Sequence, residues 1–167
     1  MIRSLEGKGP QVHATAWVSE AAYVVGDIVI GERSSVWPSA VVRADEGRVT
    51  IGQWSNIQDG AVVHADYDAE IGDYVTVGHS AVVHSAKIGN YCLIGNNATV
   101  LDDVVLGDYC LVAAGAVVLP GVEAPANSLL VGAPAQVRPL DPKHLPLLES
   151  RGERYAQKAQ RYKKEGL

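Results

Sequence analysis

Phenylalanine is absent from this chain of 167 residues, and only 6% of the residues are aromatic, so the core has to be aliphatic. The two cysteines are too few for a disulfide framework, which predicts a cytoplasmic location. The net charge of −5 leaves no basic excess, which argues against nucleic acid as a partner. No apolar run approaches the roughly 20 residues that span a bilayer. The opening stretch "MIRSLEGKGPQVHA" also lacks the apolar segment of a signal peptide, so no membrane partner is expected.

A six-residue period of aliphatic side chains runs through most of the chain. A small residue lies four positions after most of these side chains, and glycine often follows them directly. A helix repeats about every 3.6 residues and a half-buried strand every two, so this period instead predicts a solenoid of short strands and tight corners. Stacked neighbouring coils would then form the core. The periodic positions are Val12, Val18, Val24, Ile30, Val36 and Val42; Ile51, Ile57 and Val63; Ile71, Val77 and Val83; and Ile88, Ile94, Val100, Leu106, Val112 and Val118.

These [LIV]-G-x-x-x-x units resemble the hexapeptide-repeat family. The resemblance implies an all-β solenoid, a left-handed parallel β-helix of triangular cross-section with three hexapeptides in each coil. The left hand follows from the resemblance alone, because the usual preference of parallel crossovers is right-handed. We expect the β-helix to occupy residues 1–140, with "VGAPAQVRPL" (131–140) closing it.

Residues 141–167 are expected to form a linker and a C-terminal α-helix packed along the solenoid. Three prolines mark the linker: Pro139, Pro142 and Pro146. From about Leu147 onward, one helical face carries Leu148, Gly152, Tyr155, Ala159 and Tyr162. The opposite face is basic, and it is either solvated or an interaction surface; it carries Arg151, Arg154, Lys158, Arg161 and Lys163.

Two histidines, His79 and His84, lie five residues apart in a strand-like run, so within one strand they would face opposite sides. The period is interrupted by steps of nine, eight and five residues, after Val42, Val63 and Val83. Aligning the resumed series stacks His84 on His64, one coil apart and about 4.8 Å along the axis. That separation suits two imidazoles that bind one ion at about 2.0–2.1 Å each.

His79 stacks instead with Pro38, Asp59 and Asn96, around a corner from the other two histidines. We do not expect it to reach the same ion within its own chain, but in a neighbouring subunit it can. The pattern therefore predicts a metal site at a subunit interface, with two ligands from one chain and one from the next. Three chains around a threefold axis would form three such sites. The alternative for each histidine is a surface or core side chain without a ligand role.

The segments around the histidines resemble the γ-class carbonic anhydrase family over roughly residues 10 to 140. They are "VWPSAVVRADEG" (36–47), "SNIQDGAVVHAD" (55–66) and "VTVGHSAVVH" (75–84). The resemblance implies a homotrimer in which His64, His79 and His84 bind Zn²⁺, or Fe²⁺ or Co²⁺, with His79 donated by the adjacent subunit. It also implies reversible hydration of CO₂ to bicarbonate by metal-bound hydroxide.

The same resemblance assigns roles to polar residues near the histidines. Gln58 matches a glutamine that hydrogen-bonds metal-bound water. Glu46 matches a glutamate that helps proton transfer; the alternative for Glu46 is a solvated loop acid. Beyond the resemblance, we expect Asp66 and Asp68 to act as outer relays. Three more residues match residues that form ion pairs between subunits in the family: Arg43, Asp45 and Asp59. The alternative for these three is ordinary surface salt bridges.

Two further features are specific to this chain. Asn96 lies in the column of His79, where relatives usually carry an apolar residue, and it either touches the site or caps a corner. Cys92 and Cys110 fall in the inward series of small residues, one coil apart, so buried free thiols are expected. A disulfide is sterically possible at that spacing.

Two other functions stay open. The first is an acyl-CoA-dependent acyltransferase, in which a histidine near an interface activates the acceptor; "VGAPAQVR" (131–138) resembles the tail of such enzymes. The second is a scaffold protein that binds metal without catalysis, since the fold alone does not decide function. Three histidines at metal-ligand positions, where a transferase needs only one base, favour the anhydrase.

Overall fold

The computed structural model describes all 167 residues and confirms a left-handed parallel β-helix with one C-terminal α-helix. Each coil of the chain passes through three flat faces, and strands of successive coils pair in parallel within each face. The exception is the hairpin Ser128–Pro139 that closes the third face, whose two strands are antiparallel. Because neighbouring parallel strands lie about 4.8 Å apart, each inner side chain rests directly on its counterpart in the next coil.

The three faces divide the strands as follows. The first face contains β1 (Ile2–Arg3), the starts of β4 (Tyr23–Ile30) and β6 (Val41–Ile51), β8 (Val62–His64), β11 (Val82–His84), β14 (Thr99–Val100) and β17 (Val117–Val118). The second contains β2 (Gln11–Val12), the ends of β4 and β6, β9 (Ala69–Ile71), β12 (Lys87–Ile88), β15 (Val105–Leu106) and β18 (Glu123–Ala124). The third contains β3 (Trp17–Val18), β5 (Ser35–Val36), β7 (Asn56–Ile57), β10 (Thr76–Val77), β13 (Leu93–Ile94), β16 (Leu111–Val112), β19 (Ser128–Gly132) and β20 (Ala135–Pro139).

The aliphatic period points inward, as predicted. One cluster of 35 buried side chains fills the prism, and it contains both the aliphatic series from Val24 to Val118 and most of the small series. Fully burying a Val, Leu or Ile side chain stabilises a fold by roughly 1.5–3 kcal/mol. The core is therefore sustained by many equivalent aliphatic contacts, without a single large aromatic group inside.

Cys92 and Cys110 are buried free thiols within this core, which confirms the expectation for both. The Cys92 thiol donates to the Gly107 carbonyl at 3.2 Å, and the Cys110 thiol donates to the Pro125 carbonyl at 3.3 Å. The hydrogen bond with Cys110, together with burial, raises the pKa of Cys92 far above its ordinary value. Cys92 therefore stays protonated and serves as a small apolar core residue.

The corner between the second and third faces, which we call the aromatic corner, carries a ladder of stacked rings formed by Trp54, Tyr74, Tyr91 and Tyr109. Ring centroids are 5.8 Å apart from Trp54 to Tyr74, and 4.7 and 4.9 Å apart along the tyrosines. All four backbones are left-handed, with φ between 55° and 57°. That conformation costs roughly 1–2 kcal/mol for each non-glycine residue, and ring stacking offsets part of the cost.

A glycine precedes each aromatic residue by two positions, in "GQW", "GDY", "GNY" and "GDY". At Gly72, a Cβ atom would lie only 2.8 Å from the Asn90 side-chain oxygen and 2.9 Å from the Gly89 carbonyl carbon. Close stacking of the coils at this corner therefore leaves no room for a side chain.

The C-terminal helix α1 spans Leu145–Glu165 and packs across the third face. It begins about two residues earlier than expected, because Pro146 lies in its first turn, where a missing N–H leaves no hydrogen bond unmade. Likewise, Pro142 starts a 3₁₀ helix (Pro142–His144) and Pro139 ends β20, so the proline-rich segment is ordered structure. No helix in the structure combines the length and the apolar character that crossing a bilayer requires.

The buried face of α1 carries Leu148, Gly152, Ala156 and Ala159. A Cβ atom on Gly152 would lie 2.7 Å from the Trp54 carbonyl oxygen, so this glycine permits close contact with the aromatic corner. At the far end of the helix, the Trp17 indole donates to the Leu167 carbonyl at 2.8 Å, and the Lys163 ammonium donates to the Ala16 carbonyl at 3.0 Å.

Candidate metal centre

The predicted register brings two histidines together where the first face ends. β8 and β11 pair in parallel with His84 opposite His64, and Arg43 lies opposite His64 on the other side. Nδ1 of His64 and Nε2 of His84 are 2.9 Å apart. The His64 side chain is 10% exposed and the His84 side chain 24% exposed. The two rings therefore form a half-buried pair at what we call the histidine corner, between the first and second faces.

A carboxylate lies against the outer nitrogen of each ring. Asp45 Oδ1 is 3.1 Å from Nε2 of His64, and Asp102 Oδ1 is 2.7 Å from Nδ1 of His84. Each carboxylate can accept the N–H of its imidazole, which orients the ring and raises the basicity of the other nitrogen. The nitrogens left free, Nδ1 of His64 and Nε2 of His84, are the two that face each other.

A third acid, Asp66, reaches both histidines. Its Oδ1 lies 3.3 Å from Nε2 of His64, and its Oδ2 lies 3.6 Å from Nε2 of His84. His64, Asp66 and His84 can each offer one ligand atom such that all three atoms lie within 4.8 Å of one another. Asp66 is therefore in direct contact with the histidine pair, rather than at a distance suited to an outer relay.

Arg43 pairs with Asp45 in the same chain, on the side of Asp45 away from His64. Loss of hydration alone would raise the pKa of Asp45, but a backbone hydrogen bond, the Arg43 guanidinium and His64 together lower it below its ordinary value. Asp45 is therefore an anion at neutral pH, able to hold an imidazole N–H.

His79 lies at the corner between the third and first faces, outside this cluster. Its Nδ1 is 3.1 Å from Asp59 Oδ2, and its side chain is 46% exposed. The backbone N–H of His79 donates to Asn96 Oδ1 at 3.2 Å, so Asn96 caps the turn beside His79. This corner and α1 together line the cleft that contains His79, and α1 contributes Lys158 and Arg161 to it.

The remaining predicted residues have different surroundings. Gln58 is buried on the third face, and its Nε2 donates to Asn56 Oδ1 at 2.9 Å. Glu46 is exposed in the middle of β6, next to Asp45. Asp68 Oδ1 accepts the backbone N–H of Arg48 at 2.9 Å, which fixes the turn after the histidine corner.

Sequence reasoning missed Asp102. The step that follows Val83 has five residues where the regular repeat has six, and Ser85 makes the turn there with φ at 43°. In the next coil the corresponding turn is at Asp103, with φ at 58°, and its N–H donates to the Ser85 carbonyl. Asp102 therefore has no counterpart in the shorter coil, and its side chain lies over His84. The signal was the five-residue step itself.

This donor set fits a divalent transition metal. Two imidazole nitrogens face one another, each ring is held by a carboxylate, and a further carboxylate oxygen is within reach. Imidazole suits Zn²⁺, Fe²⁺ and Co²⁺ alike, and outer carboxylates of this kind are typical of histidine-ligated metal sites.

Comparison with known proteins finds similarity to hexapeptide-repeat proteins and to carbonic anhydrases. A family model described as "Bacterial transferase hexapeptide (six repeats)" matches residues 85–120. A protein of Methanocaldococcus jannaschii named "Probable carbonic anhydrase" is 46% identical over 122 residues, which cover 72% of this chain and 77% of its own. The "Carbonic anhydrase" of Geobacillus kaustophilus is 37% identical over 166 residues, covering 98% of this chain and 91% of its own.

Two further similarities extend the comparison. The "Gamma carbonic anhydrase 1, mitochondrial" of Arabidopsis thaliana is 36% identical over 162 residues, covering 92% of this chain and 59% of its own. Among solved structures, a hexapeptide transferase family protein from Anaplasma phagocytophilum superimposes with a TM-score of 0.93 at 31% identity, covering 96% of this chain and 97% of its own.

Proposed function

Because the chain belongs to the γ-class carbonic anhydrase family of hexapeptide-repeat proteins, we propose that it catalyses the reversible hydration of CO₂ to bicarbonate. The metal centre would be shared between subunits, with His64 and His84 from one chain and His79 from the next. The observation that carries the proposal is the pair of facing nitrogens of His64 and His84, 2.9 Å apart, with each ring backed by a carboxylate.

The ion proposed for this centre is Zn²⁺, with Fe²⁺ or Co²⁺ as alternatives. When bound, it supplies Lewis-acid activation of water near neutral pH for attack on CO₂. Three neutral imidazoles leave the charge of the ion undiminished. The carboxylates of Asp45 and Asp102 accept the N–H groups of the outer nitrogens of His64 and His84, which holds each ring in the tautomer that leaves its facing nitrogen free for the ion.

Three polar residues complete the proposed site. Gln58 immediately precedes Asp59, on the corner that carries His79, so we assign it to the half-site contributed with His79. Its Nε2 already donates to Asn56, which leaves Oε1 to accept a hydrogen bond from water. Glu46 is exposed beside Asp45 and would carry the proton between the site and solvent. Asn96 would act through the turn of His79 rather than on substrate.

The surface chemistry supports a homotrimer built on the first face. Its outward side chains include Val41, Val62, Val82 and Val117, all half-exposed, whereas α1 covers the third face. The second face instead presents charged side chains such as Glu70 and Lys87. A strip of exposed aliphatic side chains on one face favours burial against another chain.

The two ends of the first face carry complementary halves of the proposed site. The histidine corner lies at one end of the face, and the corner with His79 lies at the other. A contact that brings one end of a chain against the opposite end of the next is heterologous, and it closes into a ring when the rotation allows. In such a ring Arg43 and Asp45 of one chain would approach Asp59 of the neighbour.

An acyltransferase is the alternative suggested by the names of the matching repeat family and of the similar protein from Anaplasma phagocytophilum. A transferase base needs one histidine with one orienting partner. It would leave the second imidazole and its own carboxylate, Asp102, without a role. A metal-binding scaffold would use both histidines, so only an activity measurement separates it from the enzyme.

The proposal is tested by stopped-flow CO₂ hydration on protein purified without oxygen and loaded separately with Zn²⁺, Co²⁺ and Fe²⁺. The His79→Ala variant is compared with His13→Ala, since His13 lies outside the site, in the first turn of the solenoid. We expect metal-dependent hydration that His79→Ala abolishes and His13→Ala retains. Absence of hydration with every metal, in a trimer that binds metal stoichiometrically, would favour the scaffold instead.

A further inference from the structure

We propose that Asp66 completes a metal site within a single chain, together with His64 and His84, so that the ion binds before a neighbouring subunit supplies His79. The inference rests on the proposed function, from which two of the three ligands, His64 and His84, are taken. Asp66 itself matches none of the three histidine ligands that the family resemblance implies, and the role suggested for it by the sequence was an outer relay.

The distances suit three donors around one small ion. Donors bound tetrahedrally at 2.0–2.1 Å lie about 3.3–3.4 Å from one another. The facing nitrogens of His64 and His84 are 2.9 Å apart, and Nε2 of His84 is 3.6 Å from Asp66 Oδ2. The two observed separations bracket the required value, so these two pairs need adjustments of only a few tenths of an ångström. One ligand atom from each of the three residues lies within 4.8 Å of the others, so Asp66 has the longest movement to make.

The backbone holds Asp66 in this position. Ser85 is buried in the shortened turn after β11, and its hydroxyl oxygen accepts the N–H of Asp66 at 3.1 Å and the N–H of Tyr67 at 3.3 Å. The turn that carries Asp66 is thereby tied to the strand that ends in His84. The carboxylate itself is 54% exposed, so a hydrated ion can approach it from solvent.

No other donor competes for this role in one chain. His79 lies at a different corner, against Asp59, and Asp45 and Asp102 already hold the outer nitrogens of the two rings. A carboxylate ligand brings a negative charge that imidazole does not, and it therefore lowers the Lewis acidity of the ion. The single-chain site would thus hold metal but activate water less than the site with three histidines.

The test is a Co²⁺ titration of metal-free protein, followed by the visible absorption of the ion, on wild type, His79→Ala, Asp66→Asn and the double variant His79→Ala/Asp66→Asn. Asp103→Asn in the His79→Ala background is the matched control, because Asp103 is an exposed acid at the same corner, two coils away from Asp66. Circular dichroism and sedimentation report folding and assembly. His79→Gln replaces His79→Ala if the latter does not fold.

We expect His79→Ala to bind one Co²⁺ per chain, and the double variant to bind at least about 100-fold more weakly, beyond the 10–100-fold typical of losing an outer partner. The Asp103 control should bind like His79→Ala. Equal Co²⁺ affinity for His79→Ala and the double variant, or no binding to His79→Ala, would overturn the inference. Wild-type protein that binds Co²⁺ but does not hydrate CO₂ contradicts the proposed function and leaves this inference standing.

Discussion

Two corners of the same prism have opposite characters. At the aromatic corner every coil turns in the same way, and like residues stack on like: rings on rings from Trp54 to Tyr109, with left-handed φ angles of 55–57°. At the histidine corner the four coils that supply the cluster cross in nine, eight, five and six residues. Unlike residues meet there: imidazoles from two coils and carboxylates from three.

The two corners differ because one follows the sequence repeat and the other departs from it. Identical residues in register give ladders of equivalent contacts, which stabilise coil on coil but place the same chemical group everywhere. A metal centre needs several different groups around one point, so it requires a departure from the repeat. In this chain the departures are the steps of nine, eight and five residues, and all of them fall at the histidine corner.

Replacing His84 with Ala should have the largest effect. The variant loses one of the proposed metal donors, so we expect metal affinity to fall by more than about 100-fold and CO₂ hydration to disappear. The unfolding free energy should stay within about 1 kcal/mol of wild type, since the side chain is not in the core. Titration with Co²⁺ and urea unfolding of the metal-free protein measure the two quantities. A collapse in metal-free stability would mean that the histidine corner also supports the fold.

Replacing Asp102 with Asn should have an intermediate effect. The carboxylate that accepts the His84 N–H at 2.7 Å becomes an amide, so the ring loses its charged partner but not its place in the strand. We expect metal affinity to fall by about 10–100-fold, as is typical for such partners. Asp103→Asn, one residue along and exposed, should leave affinity unchanged; a similar loss in both variants would indicate a general effect of surface charge.

Replacing Tyr91 with Leu tests the opposite corner. The substitution keeps an apolar side chain but removes stacking on Tyr74 and Tyr109, at 4.7 and 4.9 Å. Since aromatic pairs are worth about 0.5–1.5 kcal/mol each, we expect a loss of about 1–2 kcal/mol in unfolding free energy. Co²⁺ affinity should be unchanged. Weakened metal binding would show that the two corners are coupled through the core.

The smallest effect concerns the ionisation of the ladder. Burial, and then the neighbouring Tyr91, raise the pKa of both Tyr74 and Tyr109 above the ordinary value near 10. The folded state favours the protonated form of these phenols. Their contribution to the unfolding free energy is therefore fully present below about pH 10, and it is lost as pH rises through the raised pKa. Ultraviolet titration should show late-ionising tyrosines, and Tyr91→Phe should lower the pKa of both neighbours. Unchanged titration in that variant would contradict the contribution of Tyr91.

The sequence was sufficient for the fold and for the register of the histidines. Only Val, Ile and Leu occupy the large inner positions of the six-residue period, so the period could be followed through each interruption, and Val83 lies opposite Val63 as the alignment required. The extra residues at the steps of nine and eight are taken up between the segments that pair with the next coil, which is why the register survives them. A shift of one residue in the pairing of two coils would turn the aliphatic side chains outward, so the core allows no other alignment.

The parts that could not be predicted are side-chain directions at irregular turns. Asp102 lies one position away from the column of His84, and no repeat rule states that a shortened coil lets it bend over that ring. Asp66 was predicted as an outer relay. Its contact with both histidines could not be predicted, because the turn that carries it is held by the Ser85 hydroxyl, which belongs to the next coil. Contacts made by departures from a period cannot be inferred from the period.

The C-terminal helix has a consequence for how the molecule unfolds. A stack of coils in which each touches only its neighbours can fray from either end, one layer at a time. Here the helix begins beside Leu93 and Leu140 and ends at Trp17, whose indole bonds a carbonyl 150 residues away in sequence. The helix contacts both early and late coils of the stack, so that unfolding of the first coil also breaks contacts that the helix makes with the later coils. The stack of coils thereby unfolds with the all-or-none cooperativity of a compact domain. Because this contact joins residues that are far apart in sequence, we also expect it to slow folding.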